Sequence, residues 1–141
     1  MGYVRITDRP GEQFHYTRRD NLASILRDGR IKRMGDAECW FCSTLDDTLE
    51  LMRTTVMVEG KPYVKLGGSI GRYPKFQPED YVILRLKPRY QNGEWVRWMQ
   101  EMPPGTPPEL LKAAENFSNL KLGFRGDLKF WPEPEIIEVK A

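Results

Sequence analysis

The stretch F-H-Y-T-R-R-D-N-L-A-S-I-L-R-D-G-R-I, from Phe14 to Ile31, leaves this chain few ways to fold. It opens on aromatic and β-branched residues (Phe14, Tyr16, Thr17), which suit a strand. Leu22, Ile25 and Leu26 follow at i, i+3 and i+4, the apolar stripe of a short helix. Asp20 is placed to cap that helix, because a carboxylate satisfies free N–H groups at the positive end of the helix dipole. Gly29 stands where a helix turns left-handed and stops. The unit reads strand, tight turn, helix, stop, and the only histidine, His15, sits beside the turn. A strand end facing a helix start makes a crevice whose exposed amides favour anionic groups.

Similar punctuation organises the rest. Residues 1–13 alternate weakly (Tyr3, Val4, Ile6) and break at Arg9-Pro10-Gly11, an edge strand or extended arm. Arg30 to Met34 continue as a short strand before a Gly35-Asp36 turn. Cys39 to Thr44 form a second strand, and Thr44 with Asp47 approximates a capping box for a helix over 45–53. Leu45, Leu49 and Met52 supply its buried stripe. Tyr63 to Leu66 reads as a strand, and G-G-S-I-G-R-Y-P-K-F-Q-P after it reads as a plain connection. Its glycines with Arg72 and Lys75 would suit a pyrophosphate, but the spacing matches no phosphate-binding motif. Tyr81 to Leu86 is the strongest core strand. Asn92-Gly93 signals a hairpin returning through Trp95 and Trp98. M-P-P-G-T-P-P is a stiff linker; Thr106, Pro107 and Glu109 open a helix running to about Phe117. Strands at 127–131 and 135–139 close the chain around a proline-marked corner.

At 141 residues the chain suits one domain, residues 1–141, with a single core. A net charge of +2, from 22 basic and 20 acidic residues, argues against attachment to nucleic acid mainly through phosphates. Neither a membrane-length apolar run nor a signal-peptide core is visible, so a cytoplasmic setting without membrane attachment is expected. Cys39 and Cys42 are spaced C-x-x-C, but a zinc site needs four ligands and the sequence supplies no second pair. A redox motif would open a helix, whereas C-W-F-C reads as strand, so two buried or half-buried free thiols and no metal are expected.

The pattern H-Y-T-x-x-x-N-L-x-S-I-L-x-x-G, from His15 to Gly29, resembles the opening of ADP-ribosyltransferase-like domains. It is most similar to the DarT-type DNA ADP-ribosyltransferases, and less so to other small H-Y-E-type toxins. The resemblance implies an α+β fold, a split, twisted, mostly antiparallel sheet with short flanking helices. It implies NAD as co-substrate, with His15 holding a ribose, Tyr16 and Thr17 lining the pocket, and Asn21 on the helical side. The second strand becomes the other wall, with Ser43 supporting the acid or the ribose and Phe41 or Trp40 stacking on the nicotinamide. Ser43 and Thr44 as simple caps are the alternative. The catalytic acid opens the penultimate strand in this fold, which points to Asp127, with Glu133 and Glu135 as competitors. DarT-type enzymes carry glutamate there; aspartate is a departure of one methylene.

The implied activity is transfer of ADP-ribose to a macromolecular acceptor, a nucleic-acid base or a protein side chain. Such proteins belong to toxin–antitoxin, phage-defence or counter-defence systems, with an antitoxin as a partner. A different class is a catalytically inactive module that binds a protein or nucleic acid through the Trp95/Trp98 hairpin and the 67–78 loop. A third, RNA 2′-phosphotransfer, wants a basic cluster, for which Arg18, Arg19 and Arg72 are the candidates.

Overall fold

In the computed structural model, residues 2–6, 10–33, 38–60, 62–64, 67–99, 104–108, 111 and 120–140 are described, without the side chains of 2–5, 63, 64, 98 and 99. Strand β1 covers Gly2–Ile6 and β2 covers Gln13–Arg18. A 3-10 turn at Arg19–Asn21 leads into helix α1, Leu22–Asp28. Gly29 closes α1 at φ +66°, its N–H on the Ile25 carbonyl at 2.9 Å, the left-handed stop its position implied. The Asp20 cap does not form: Asn21 precedes α1 in helical conformation without a side-chain cap. The 3-10 turn has already begun the coil, so the extended backbone a capping residue needs is missing there.

Strands β3 (Arg30–Ile31) and β4 (Cys39–Phe41) follow, then α2, Leu45–Thr55. Thr44 caps α2 as expected, its Oγ1 accepting from the Asp47 N–H at 3.0 Å. The buried stripe is rotated from the expected one. Thr48, Leu51 and Met52 are buried, while Leu45 and Leu49 are only partly covered. The strand does not reach Thr44 either, since the chain bends at Ser43.

Beyond α2 come β5 (Pro62–Val64), β6 (Ile70–Arg72), β7 (Tyr81–Leu86) and β8 (Glu94–Met99). The chain then supplies β9 (Leu122–Arg125), β10 (Leu128–Lys129) and β11 (Glu135–Glu138). The segment read as a plain loop contains β6, which pairs with β5 from Pro62↔Arg72 to Val64↔Ile70. Most of the helix expected from Thr106 lies outside the described residues, apart from Leu111 N–H to the Pro107 carbonyl at 3.1 Å.

The order β1-β8-β9-β4 forms one antiparallel sheet and β11-β7-β2 another, with β3–β10 and β5–β6 as ribbons. The coarse expectation, α+β with mostly antiparallel sheets and short helices, is met. The hairpin expected at Asn92-Gly93 is absent, because β7 and β8 belong to different sheets. Strand parity sends Val82, Leu84 and Leu86 to one face of β7, where they pack with Phe41, Phe124, Trp95 and Ile25. Ile83 faces the other way, onto Phe14, Met52 and α2. Burying each such side chain contributes about 1.5–3 kcal/mol, which makes β7 the spine of both packed layers. No helix among the described residues is long and apolar enough to cross a membrane.

Candidate active site

Strand β2 is an edge of one sheet and β4 an edge of the other, and they meet at a single isolated bridge. Phe14 N–H donates to the Cys42 carbonyl at 2.8 Å, and Cys42 N–H to the Phe14 carbonyl at 2.9 Å. A continuing antiparallel ladder would next bond Tyr16 with Trp40. Instead, the Trp40 carbonyl accepts a hydrogen bond from His15 Nδ1 at 2.9 Å. The imidazole stands where the ladder stops, and the two sheet edges part around it.

The parting leaves a cavity of about 250 Å³ lined by Phe14, His15 and Tyr16 on one side and by Cys39 to Cys42 on the other. Ile31, Lys32, Glu38, Leu51 and Lys121 complete its wall. A smaller hollow of about 100 Å³ adjoins it under α1, lined by His15, Thr17, Asn21, Ser24, Arg30 and Lys32 among others. His15 and Lys32 belong to both walls.

A carbonyl only accepts, so Nδ1 of His15 carries the proton and Nε2 is the acceptor of the neutral ring. The Phe41 ring centroid lies 5.3 Å from that of His15, tilted by 46°. Burial pushes the His15 pKa below the usual 6.5; the Trp40 hydrogen bond opposes this and Lys121 adds to it. Folding therefore favours the uncharged ring. Above pH 6.5 the group costs nothing, and as pH falls below 6.5 the unfolded chain takes up the proton more readily. Stability falls with pH through that window and levels off below the folded-state pKa. Urea unfolding at pH 7.5 and pH 5.5 is expected to show this loss in the wild type and a smaller one in His15→Gln.

Burial also raises the Tyr16 pKa, so its phenol stays protonated. The Thr55 hydroxyl donates to the Leu51 carbonyl at 2.8 Å, which leaves Tyr16 to donate to Thr55 Oγ1 at 3.0 Å. Asn21 Nδ2 donates to Thr17 Oγ1 at 3.1 Å within the smaller hollow. The Lys121 ammonium lies 5.7 Å from the Trp40 ring centroid, and Lys32 pairs with Asp28 at 2.8 Å. Cys39 and Cys42 are free and buried, as expected, with both thiols pushed up to about 11 by burial. Neither is a thiolate near neutral pH, so neither serves as a nucleophile there.

Of the residues singled out in the sequence, His15, Tyr16 and Phe41 meet at the cavity, and Thr17 and Asn21 join His15 in the hollow beside it. Ser43 does not. The bend after Cys42 turns it into an open groove with Gln13, Arg97 and Leu122. Asp127 is also outside both walls: its Oδ1 accepts from the Arg33 N–H at 3.0 Å, with Arg33 Nε 3.5 Å away. That backbone hydrogen bond chiefly holds the Asp127 carboxyl below its ordinary range. Glu133 and Glu135 line a separate groove with Glu12 and Arg85. The register Phe14↔Arg85↔Glu135 places Glu135 on the opposite sheet face from His15.

The other predicted contacts are engaged elsewhere. Trp95 packs in the core against Phe41 and Phe124, at 5.8 and 5.1 Å between centroids, and offers no surface for stacking. The Trp98 side chain lies outside the described residues. Arg19 pairs with Glu138, Arg18 lies over the Tyr81 ring, and Arg72 donates to the Gly60 carbonyl, all away from the cavity. Sequence reasoning missed Lys32, Glu38 and Lys121. Each is a charged residue with no motif around it, and only the folded arrangement, in which β3 pairs with β10 and β4 with β9, gathers them. Comparison with protein-family models, curated proteins and solved structures gives no match to this chain.

Proposed function

We propose that the protein is an NAD-dependent ADP-ribosyltransferase that binds NAD in the parting between β2 and β4. The observation that carries this reading is the state of His15. Its Nδ1–H is fixed on the Trp40 carbonyl, and its remaining nitrogen is an acceptor for a sugar hydroxyl on a residue shared by two adjoining hollows. At about 250 Å³ the larger cavity is below the usual range of about 300–1,000 Å³ for whole-ligand pockets. It suits the nicotinamide and its ribose, with the rest of the dinucleotide extending past Lys32. Trp40 supplies an aromatic wall for the nicotinamide ring, with the buried Phe41 ring backing His15, and Lys32 and Lys121 oppose phosphate charge.

Scission at the nicotinamide–ribose bond passes through an oxocarbenium-like state. The protein's part is to hold the ribose in one pose, keep water out and set charge against the developing cation. His15 orients and need not titrate. The acceptor is a nucleic-acid base or a protein side chain, and a toxin or phage-defence setting in the cytoplasm belongs to the same proposal. A non-catalytic binding module is favoured by one observation, the position of Ser43 and Asp127 outside the cavity.

Incubation with NAD labelled in the nicotinamide and adenosine halves separates these readings. Wild type is expected to release nicotinamide and transfer the adenosine label, and His15→Ala to lose about 10²-fold, the cost of a misplaced reactant. Binding without release would leave the non-catalytic module. Neither binding nor release would end the NAD reading.

A further inference from the structure

We infer that Glu38 is the carboxylate that opposes the ribosyl cation in this cavity. The inference rests on the transferase reading above and names its acid. Among the described residues lining the cavity, Glu38 is the one carboxylate. Its side chain is 5 % exposed, beside Lys32 and Lys121 on the same wall.

The fold explains its place. Cys39 pairs with Phe124 across β4 and β9, and Glu38, the residue before β4, meets Arg125 at the end of β9. Arg125 Nε lies 3.2 Å from Glu38 Oε1, and its NH1 lies 3.8 Å from Glu94 on β8. A half-exposed guanidinium thus ties down a buried carboxylate close in chain to Trp40, whose carbonyl orients His15. Glu38 immediately precedes β4 and lies two residues before Trp40, the residue whose carbonyl holds His15. Asp127, the acid expected from the sequence, has its Oδ1 on Arg33 and no place in the wall.

In the step itself, the bond between ribose C1′ and the nicotinamide nitrogen breaks, and its electron pair leaves with nicotinamide. The cation at C1′ forms a new bond to the acceptor's nucleophilic atom, whose proton passes to Glu38 and then to water. Carboxylate charge within a water-poor cavity favours the cation over the ground state.

The test measures nicotinamide release, NAD binding and thermal unfolding in parallel. Glu38→Gln is expected to lower kcat by about 10²–10³-fold, the range for removing one charge-stabilising group. NAD affinity should stay within about threefold, and Asp127→Asn should lose far less kcat. Arg125 is 40 % exposed and remains hydrated when its partner is neutralised. Should Glu38→Gln not unfold cooperatively, Glu38→Asp keeps the negative charge with the carboxylate drawn back by one methylene, and a kcat loss of about tenfold or more is expected. Active wild type with undiminished kcat in Glu38→Gln or Glu38→Asp overturns the inference alone. So does loss in Asp127→Asn with retention in Glu38→Gln, which returns the role to Asp127. Wild type that binds NAD and releases no nicotinamide overturns the transferase reading first, and is seen without any variant.

Discussion

Gly93→Ala is expected to destabilise the protein by about 3–5 kcal/mol, summing an overpacked core and a strained backbone. A Cβ at this position would lie 2.3 Å from Cζ and 2.8 Å from Cε1 of Phe124. Phe124 is 1 % exposed and wedged against Trp95, so its ring has nowhere to retreat. Gly93 also holds φ at +146°, a conformation that L-residues rarely adopt. Chemical denaturation reads the effect as a lower midpoint with an unchanged slope. A midpoint within experimental error of wild type would show that the ring yields, and with it the core beneath the cavity.

The second large effect is expected from Phe41→Ala, at about 3–5 kcal/mol, the range for truncating a buried phenylalanine. Phe41 is 1 % exposed and touches both the core ring of Trp95 and the imidazole of His15. Its loss removes apolar contact and also opens space beside the one ring whose orientation the proposed chemistry needs. Unfolding by urea reports the first consequence. The second appears as a broadened or shifted His15 ring resonance, which NMR follows without interference because the chain has no other histidine. A stable Phe41→Ala variant with an unmoved His15 signal would mean that the Trp40 carbonyl alone positions the imidazole.

Local signals carried much of this architecture. The largely apolar run Tyr81–Leu86 is β7 from end to end, Gly29 closes α1, and Thr44 caps α2. Each of these depends on neighbours a few residues away, which a sequence displays directly. What failed depends on distant partners. Asn92-Gly93 carries the composition of a hairpin turn, yet Gly93 is required by the Phe124 ring more than thirty positions on. Strand β9 has a glycine at its centre, and Gly123 fits there because the Trp40 ring packs where a Cβ would be, 3.0 Å from its Cζ3. In α2 the covered face follows the position of β2, which the heptad-like spacing of leucines cannot reveal.

The same division holds for the candidate site. His15, Tyr16 and Phe41 sit within strong strand patterns, and their meeting follows once two strands are set side by side. Ser43 was one residue too far along, past the point where the edge bends away. Glu38 had no pattern to mark it among 20 acidic residues, and only the three-dimensional placement of the segment before β4 brings it into the wall.

The lone bridge between Phe14 and Cys42 has a mechanical consequence. A seam whose backbone pairing is one reciprocal pair of amides acts as the vertex of a wedge, so the aperture at His15 is set by the angle between two sheet edges. Loop substitutions at the rim alter entry. Width changes only when the vertex moves, and the Cys42 backbone, which α2 anchors through Thr44 two residues later, is the place from which it would be moved.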